Sequence, residues 1–246
     1  LGKVPADAVR KSDLMVILDK AVSEGKARTA NMLMTDLRQM FRFALDREIV
    51  VRNPLDGVIK RNVGGKETER DRTLSDHEIH TLWNSCPAVL TKRSTHAVWL
   101  ILATACRVGE LMGARWEHVN LDSRKWYLPE TKNERDHQIH LSDFAVSHFR
   151  ALLATQPKPY TAGTEDSEAH SQPTWLFPNR AGTGPVCPKS FAKQLSDRQR
   201  DVARRMKNRA NATTSLVLPG GRWTPHDLRR TSATLMARLG FAADVI

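Results

Sequence analysis

"EHVNLDSRKWYLPETKNERDHQIHLS", residues 117–142, is where the chain changes its period. Val119 and Leu121, then Trp126 and Leu128, then Ile139 and Leu141 stand two residues apart, the spacing that puts both members of a pair on one face of a strand. The charged run "ETKNERDH" between the last two pairs has no apolar residue and reads as a hairpin turn. Both flanks carry helical spacing. The pattern therefore predicts a mainly α chain with a small three-stranded antiparallel sheet, an α+β class.

Upstream, "TLSDHEIHTLW" (73–83) opens with Ser75 and Glu78 spaced as a capping box. "STHAVWLILATA" (94–105) is apolar enough for a buried helix, and "RVGELMGARW" (107–116) follows as a short one. Downstream, "SDFAVSHFRALLAT" (142–155) is a helix capped by Ser142. Residues 155–174 read as an exposed loop, "TWLFPN" as a short extended piece, and "LPGGRW" as a turn. "PKSFAKQLSDRQRDVARRMKNR" (188–209) reads as one helix with a basic C-terminal half. "TPHDLRRTSATLMARLG" (224–240) is the last clear helix, stopped by Gly240.

The N-terminal part is helical alone. Ser12 or Asp13 can cap "DLMVILDKAVSEG", which Gly25 stops. In residues 28–50, Leu33, Leu37, Met40, Phe41, Ala44 and Leu45 share a face. Pro54 and Gly57 end that helix. Residues 1–60 therefore read as a small helical domain and the polar stretch 61–72 as a linker, leaving 73–246 as the second domain.

The formal net charge of the 246 residues is +11, which points first to nucleic acid and second to an anionic membrane surface. No apolar run approaches a bilayer span, and the first residues lack a signal core. They also lack an initiator Met, so a fragment or a processed chain is expected. Cys86, Cys106 and Cys187 are odd in number and scattered, the pattern of reduced thiols. His77 and His80 lie three apart on a helix, but no Cys or carboxylate pattern completes a metal site. No Gly-rich phosphate loop appears, so neither ATP nor another cofactor is expected.

Three local features carry chemistry, and each has a plain structural reading. Arg107 can simply pair with Glu110. Lys132 can be a solvated turn lysine. His226 and Arg229, one helical turn apart, can be a surface pair. Their order along the chain is more specific. "ATACRVGEL", the lysine hairpin "TKNERDHQIHLS" and "HDLRRTSATLM" together resemble the tyrosine recombinases, the phage and prophage integrase family. "RDRTLSDHEIHTLW" is similar to the start of their catalytic domain, and residues 1–60 to the core-binding domain that precedes it.

The resemblance implies a site-specific recombinase that cleaves and rejoins DNA through a 3′-phosphotyrosyl bond. It implies that Arg107, Lys132, His226 and Arg229 are catalytic, with Glu110 bracing them. The physics agrees: without a metal, planar guanidinium groups are the natural clamp for a phosphate accumulating charge. Lys132 would protonate the leaving 5′ oxygen, and His226 would relay a proton or hydrogen-bond the phosphate. Arg198, Arg200, Arg204, Arg205, Lys207 and Arg209 would line the duplex, with a solvated basic face as the alternative. The face bearing Arg38 and Arg42 would grip the opposite side, with 61–72 as hinge. Arg230 is read equally as a backbone-phosphate contact or a solvent-facing residue.

The family nucleophile is a tyrosine after the second arginine box. Tyr127 and Tyr160 precede that box and do not match it. The expectation is that the nucleophile and a neighbouring His or Trp lie beyond Ile246, so that this chain binds DNA without forming an adduct. The resemblance further implies double-stranded attachment-site DNA as partner, a tetramer for the parent, a monomer as an option for the fragment, accessory bending or directionality factors, and a cytoplasmic, nucleoid-associated location without a membrane. The competing readings are a non-catalytic DNA-binding protein or decayed integrase, a type IB topoisomerase-like enzyme and, most distant, a metal nuclease.

Overall fold

In the computed structural model, described for residues 4–129, 136–156, 174–200 and 213–242, the chain forms two compact units, Leu1–Arg70 and Asp71–Ile246.

The first unit is a pair of helices, α1 (Lys11–Ser23) and α2 (Ala27–Asp46). Leu14 and Leu18 of α1 meet Met34 and Phe41 of α2, and Val50, Leu55 and Val58 close the core from below. α1 begins earlier than a Ser12 or Asp13 cap implies. Asp13 acts from inside the first turn, its carboxylate accepting the Arg10 N–H at 2.9 Å. Met40 is 52 % exposed although its spacing suggested the core, because its neighbour Phe41 takes the buried position, about 100° round the helix. Of the stretch 61–72, expected as a linker, Gly64 and Gly65 are tied to this unit. The buried Asn31 amide accepts the Gly64 N–H at 2.8 Å and donates to the Gly65 carbonyl at 3.1 Å. Gly64 passes so close to α2 that a Cβ would stand 2.1 Å from the Ala27 carbonyl oxygen.

The second unit is built round one apolar helix. It contains α3 (Asp76–Val89), α4 (Lys92–Thr104), α5 (Val108–Met112), α6 (Asp143–Ala154), α7 (Pro188–Asp197) and α8 (Pro225–Arg238). α6 and α8 pack most heavily on α4, whose Ala97, Val98, Leu100 and Ile101 are wholly buried. Burial of a Leu or Ile contributes about 1.5–3 kcal/mol, so this helix is the unit's main apolar anchor. The strands β1 (Val119–Asn120), β2 (Lys125–Leu128) and β3 (His137–His140) make an antiparallel sheet in the order β1-β2-β3. The register sets Trp126 opposite Ile139 and Lys125 opposite His140. Trp126, fully buried, meets Phe149 of α6 with ring centroids 5.8 Å apart. The mainly helical architecture with one small sheet is therefore as its sequence periods predict.

Two polar features sit inside this packing. The Ser75–Glu78 capping box forms, with Ser75 N–H donating to Glu78 at 3.0 Å and Glu78 N–H to Ser75 at 3.3 Å. The same Glu78 carboxylate accepts Arg72 at 2.7 Å and the Gly220 N–H at 2.7 Å. Burial pushes the Glu78 carboxyl up, but the Arg72 hydrogen bond, the two backbone donors and the Arg72 charge outweigh it and hold it at about 2. The second feature joins α4 to α6. His96 and His148 face each other, Nδ1 to Nδ1, at 2.9 Å. Burial lowers both, and with the His96 charge it takes His148 down to about 4.

One element is shorter than its pattern. α7 ends at Asp197, within the stretch 188–209 that the sequence suggested as one helix and of which 201–209 lie outside the described residues. The Arg200 N–H bonds to Thr213 O at 2.9 Å and the Thr213 N–H to Asp197 O at 2.9 Å, so the returning chain captures groups a longer helix would need. The Gln199 amide donates to Trp223 O at 3.0 Å and accepts the Trp223 N–H at 2.8 Å, locking the approach to α8. Among the described residues no helix is long and apolar enough to cross a membrane.

Candidate active site

α4 ends at Thr104, and the next residue, Ala105, adopts a left-handed conformation at φ 51°. A non-glycine residue there costs about 1–2 kcal/mol, held in place here by the Ala105 N–H bond to Ile101 O at 3.0 Å. The turn sends the chain out of the core and leaves Arg107 as the N-cap of α5. Cys106, inside the turn, is buried, and that burial pushes its thiol up to about 12. It is therefore a packing group and no nucleophile.

α8 comes to the same place from the other end of the chain. Pro225 occupies its first turn, and Asp227 accepts the Thr224 N–H at 2.8 Å. Thr231 takes the Leu74 N–H on its hydroxyl at 2.8 Å, which pins α8 against the start of the unit. Trp223, buried just before the helix, donates from its ring to Leu216 O at 2.9 Å. With its start pinned in this way, α8 presents Arg229.

The two arginines meet at Glu110. Its Oε1 lies 2.7 Å from Arg107 Nη1, and its Oε2 lies 3.9 Å from Arg229 Nη1. Oε2 also accepts the Arg107 backbone N–H at 2.6 Å. The Glu110 side chain is 10 % exposed, while Arg107 and Arg229 keep 40 % and 29 % of theirs open. One recessed carboxylate thus orients two guanidinium groups, and their combined charge leaves one positive unit facing out. They line a cleft of about 490 Å³ with Cys106, Gln138 and His140.

His226 is exposed at the start of α8, one turn before Arg229, and is not among the described residues lining the cleft. Burial lowers its imidazole, Arg230 and Arg229 lower it further, and Asp227 opposes them, so the neutral form is favoured. Lys132 lies outside the described residues, as do Arg204, Arg205, Lys207, Arg209 and Tyr160. Arg198 is drawn inward, bonding Val89 O at 2.5 Å and Gln194 O at 3.0 Å. Arg38 does the same in the first unit, donating to the carbonyls of Leu55 and Val58. Arg200 is half-buried beside Ser196. Arg42 is exposed and pairs with Asp46 at 3.1 Å, and Arg230 lies 3.8 Å from Asp227.

Gln138 and His140 were not singled out by sequence. Their signal was available: in "HQIH" they alternate with the core residue Ile139, which places both on the opposite face of β3. Among the described residues no group of three or more His, Cys, Asp or Glu is arranged to hold a metal ion.

Comparison with known proteins gives the family and the fold. The chain is 30% identical over 155 residues to the prophage integrase IntZ of Escherichia coli, covering 59% of this chain and 36% of that protein. It is 21% identical to the E. coli prophage integrase IntA over all of this chain and 52% of that one. The chain thus spans about half or less of the length of these curated relatives. Among solved structures, a lambda integrase dimer bound to a COC' core site superposes with a TM-score of 0.66 at 19% identity, covering 97% of this chain and 75% of that one. The Tn1549 transposon integrase in complex with a circular intermediate DNA gives 0.67 at 17% identity, covering 97% and 76%. At these identities the superpositions establish the recombinase fold. The family model described as "Phage integrase family" matches residues 72–246, the whole stretch that carries both arginine boxes and the sheet between them, and the chain belongs to that family.

Proposed function

We propose that this chain is the DNA-holding part of a site-specific recombinase that cuts and reseals double-stranded attachment sites of a mobile element. The observation that carries the reading is the convergence of Arg107 and Arg229 on Glu110 at the mouth of one cleft. A scissile phosphate lodged there would find two forked donors for its non-bridging oxygens, pre-oriented by a carboxylate that does not itself react. In the complete reaction a tyrosine oxygen attacks phosphorus and the bond to the 5′ oxygen breaks. Lys132 gives that oxygen its proton, and neutral His226 hydrogen-bonds the phosphate or relays a proton. The 3′-phosphotyrosyl bond conserves the phosphodiester's energy, so the reverse attack by a 5′ hydroxyl reseals the strand without ATP.

Tyr127 does not suit the role of nucleophile. It sits on β2, and its hydroxyl lies 3.5 Å from Asp136. We take the attacking tyrosine to lie outside these 246 residues, which makes this chain a DNA binder that forms no covalent adduct. Arg42, Arg230 and the basic run 204–209 supply phosphate contacts, while Arg38 and Arg198 act chiefly as internal braces. For the whole protein, a tetramer on DNA is supported by the similar lambda integrase, solved as a tetramer bound to a Holliday junction. That activity places it with the chromosome in the cytoplasm, where bending or directionality factors would join it.

Two measurements test this. Duplex binding titrated across salt concentrations should weaken steeply, and an affinity indifferent to salt would sink the phosphate-contact reading. Incubation with a nicked suicide attachment site should give no shifted protein–DNA band on a denaturing gel; a shifted band would place the nucleophile within this chain. The second reading, a non-catalytic DNA-binding protein, is favoured by the lack of a suitable tyrosine. It loses if a longer form carrying a downstream tyrosine forms the adduct and Arg107→Ala abolishes it.

A further inference from the structure

β3 has one face in the core and one towards the active-site cleft. Ile139 is buried opposite Trp126, which packs on Phe149 of α6, and the Leu141 N–H continues the pairing onto Arg124 O at 2.8 Å. A strand turns alternate side chains to opposite faces, so these core contacts fix where Gln138 and His140 point. Both are exposed, and both line the cleft of about 490 Å³ that holds Arg107, Glu110 and Arg229. The ladder sets Lys125, also exposed, directly opposite His140.

The chemistry of this wall suits a phosphate. Gln138 offers an amide NH₂ and His140 a ring N–H, and neither side chain is hydrogen-bonded to another described residue. Neutral donors of this kind supply many of the contacts that proteins make to DNA phosphates. Ser142 shares the cleft but is engaged as the cap of α6, accepting the Ala145 N–H at 3.2 Å. Glu110 is the one carboxylate among the described residues that line the cleft, and it is turned onto the two arginines. The volume is in the range that admits a drug-sized molecule, so the cleft has room for more of a DNA strand than the phosphate between the arginines.

We propose that Gln138 and His140 form a second phosphate-binding wall. They hold the neighbouring phosphate of the same strand, so that the scissile one lies between Arg107 and Arg229. They bind, and take no part in bond breaking. The inference rests on the recombinase reading given above.

Anisotropy of a short fluorescent DNA duplex of mixed sequence, titrated with the purified chain at several salt concentrations, tests it. Gln138→Ala and His140→Ala should each weaken binding by about three- to tenfold. An amide carries no charge, so Gln138→Ala should leave the salt slope unchanged, whereas Arg107→Ala should lower it by about one. Gln138→Glu has nearly the same shape and a negative charge, and should weaken binding more than Gln138→Ala. His140→Asn keeps an N–H donor and should restore part of what His140→Ala loses. Asn84→Ala, exposed on α3 and outside the cleft, should change nothing. In a form of the protein that cleaves DNA, the two alanine variants should act chiefly on the DNA concentration for half-maximal cleavage, and Arg107→Ala chiefly on the saturated rate. Normal affinity in Gln138→Glu and His140→Ala, with the Arg107→Ala loss intact, overturns this proposal and spares the clamp. If Arg107→Ala also binds with unchanged affinity and slope, the recombinase reading falls and takes the proposal with it.

Discussion

Glu78 and Glu110 each hold an arginine at 2.7 Å, and each sits at the start of a helix where it also accepts a backbone N–H. The chemistry is the same and the use is opposite. Arg72 and Glu78 keep 15 % and 5 % of their side chains exposed, and the guanidinium also donates to Gly221 O at 3.3 Å. Arg107 keeps 40 % exposed, its other donors facing an open cleft. The lesson is that an Arg–Glu pair becomes a structural bolt when the fold buries it and turns its guanidinium onto backbone carbonyls. It becomes a candidate phosphate clamp when the fold leaves its guanidinium facing an open cleft.

Breaking the buried pair should have the largest effect. Glu78→Ala leaves Arg72 buried without its partner and frees the 218–221 turn, and should lower unfolding free energy by about 3–5 kcal/mol in urea titrations. Next comes the exposed pair. Arg107→Ala in a form of the protein that cleaves DNA should reduce strand cleavage by about 10²–10³-fold, while the unfolding midpoint moves little. Arg107→Lys should not restore the rate, because an ammonium lacks the fork. If both substitutions acted on stability alike, the distinction between bolt and clamp would fail.

pH sharpens the contrast. The Glu78 carboxyl is held at about 2 against an ordinary 4.5, a depressed value. Its contribution is therefore complete above pH 4.5 and is lost as pH falls through that window towards 2. The difference is worth about 3 kcal/mol. Glu78→Gln should flatten the stability curve in this acid range, which chemical denaturation at several pH values would show. Gly220→Ala should cost less, about 1–3 kcal/mol, because the new methyl would stand 2.5 Å from Arg72 Nη1 and the guanidinium has to shift. The smallest change is Arg42→Ala. Its pair with Asp46 is exposed, so stability should move by no more than about 0.5 kcal/mol. Its loss should still lower the salt slope of DNA binding by about one.

Much of the fold was legible because its signals are local. The strand period at 119–141, the Ser75–Glu78 box and the apolar run of α4 are each read from one contiguous stretch of sequence, and each element formed. The Arg107–Glu110 pair was legible for the same reason, being three residues apart on one short helix. The end of α7 was not. Nothing in "DRQRDVARR" announces that Thr213 will take the bonds of Asp197 and Arg200. Nor did the basic composition of the chain separate Arg42, which faces solvent, from Arg38, which bonds the carbonyls of Leu55 and Val58.

The sequence by itself determined the classes of element, the two arginine boxes and the family, since these rest on residue types at short fixed spacings. Only the tertiary structure decided which side chains share a site. Arg229 reaches Glu110, Gly220 reaches Glu78, and His148 reaches His96 across 119, 142 and 52 residues of chain. Contacts at such separations follow from how whole helices pack on α4, and burial there sets which donors remain free and which ionised form is favoured.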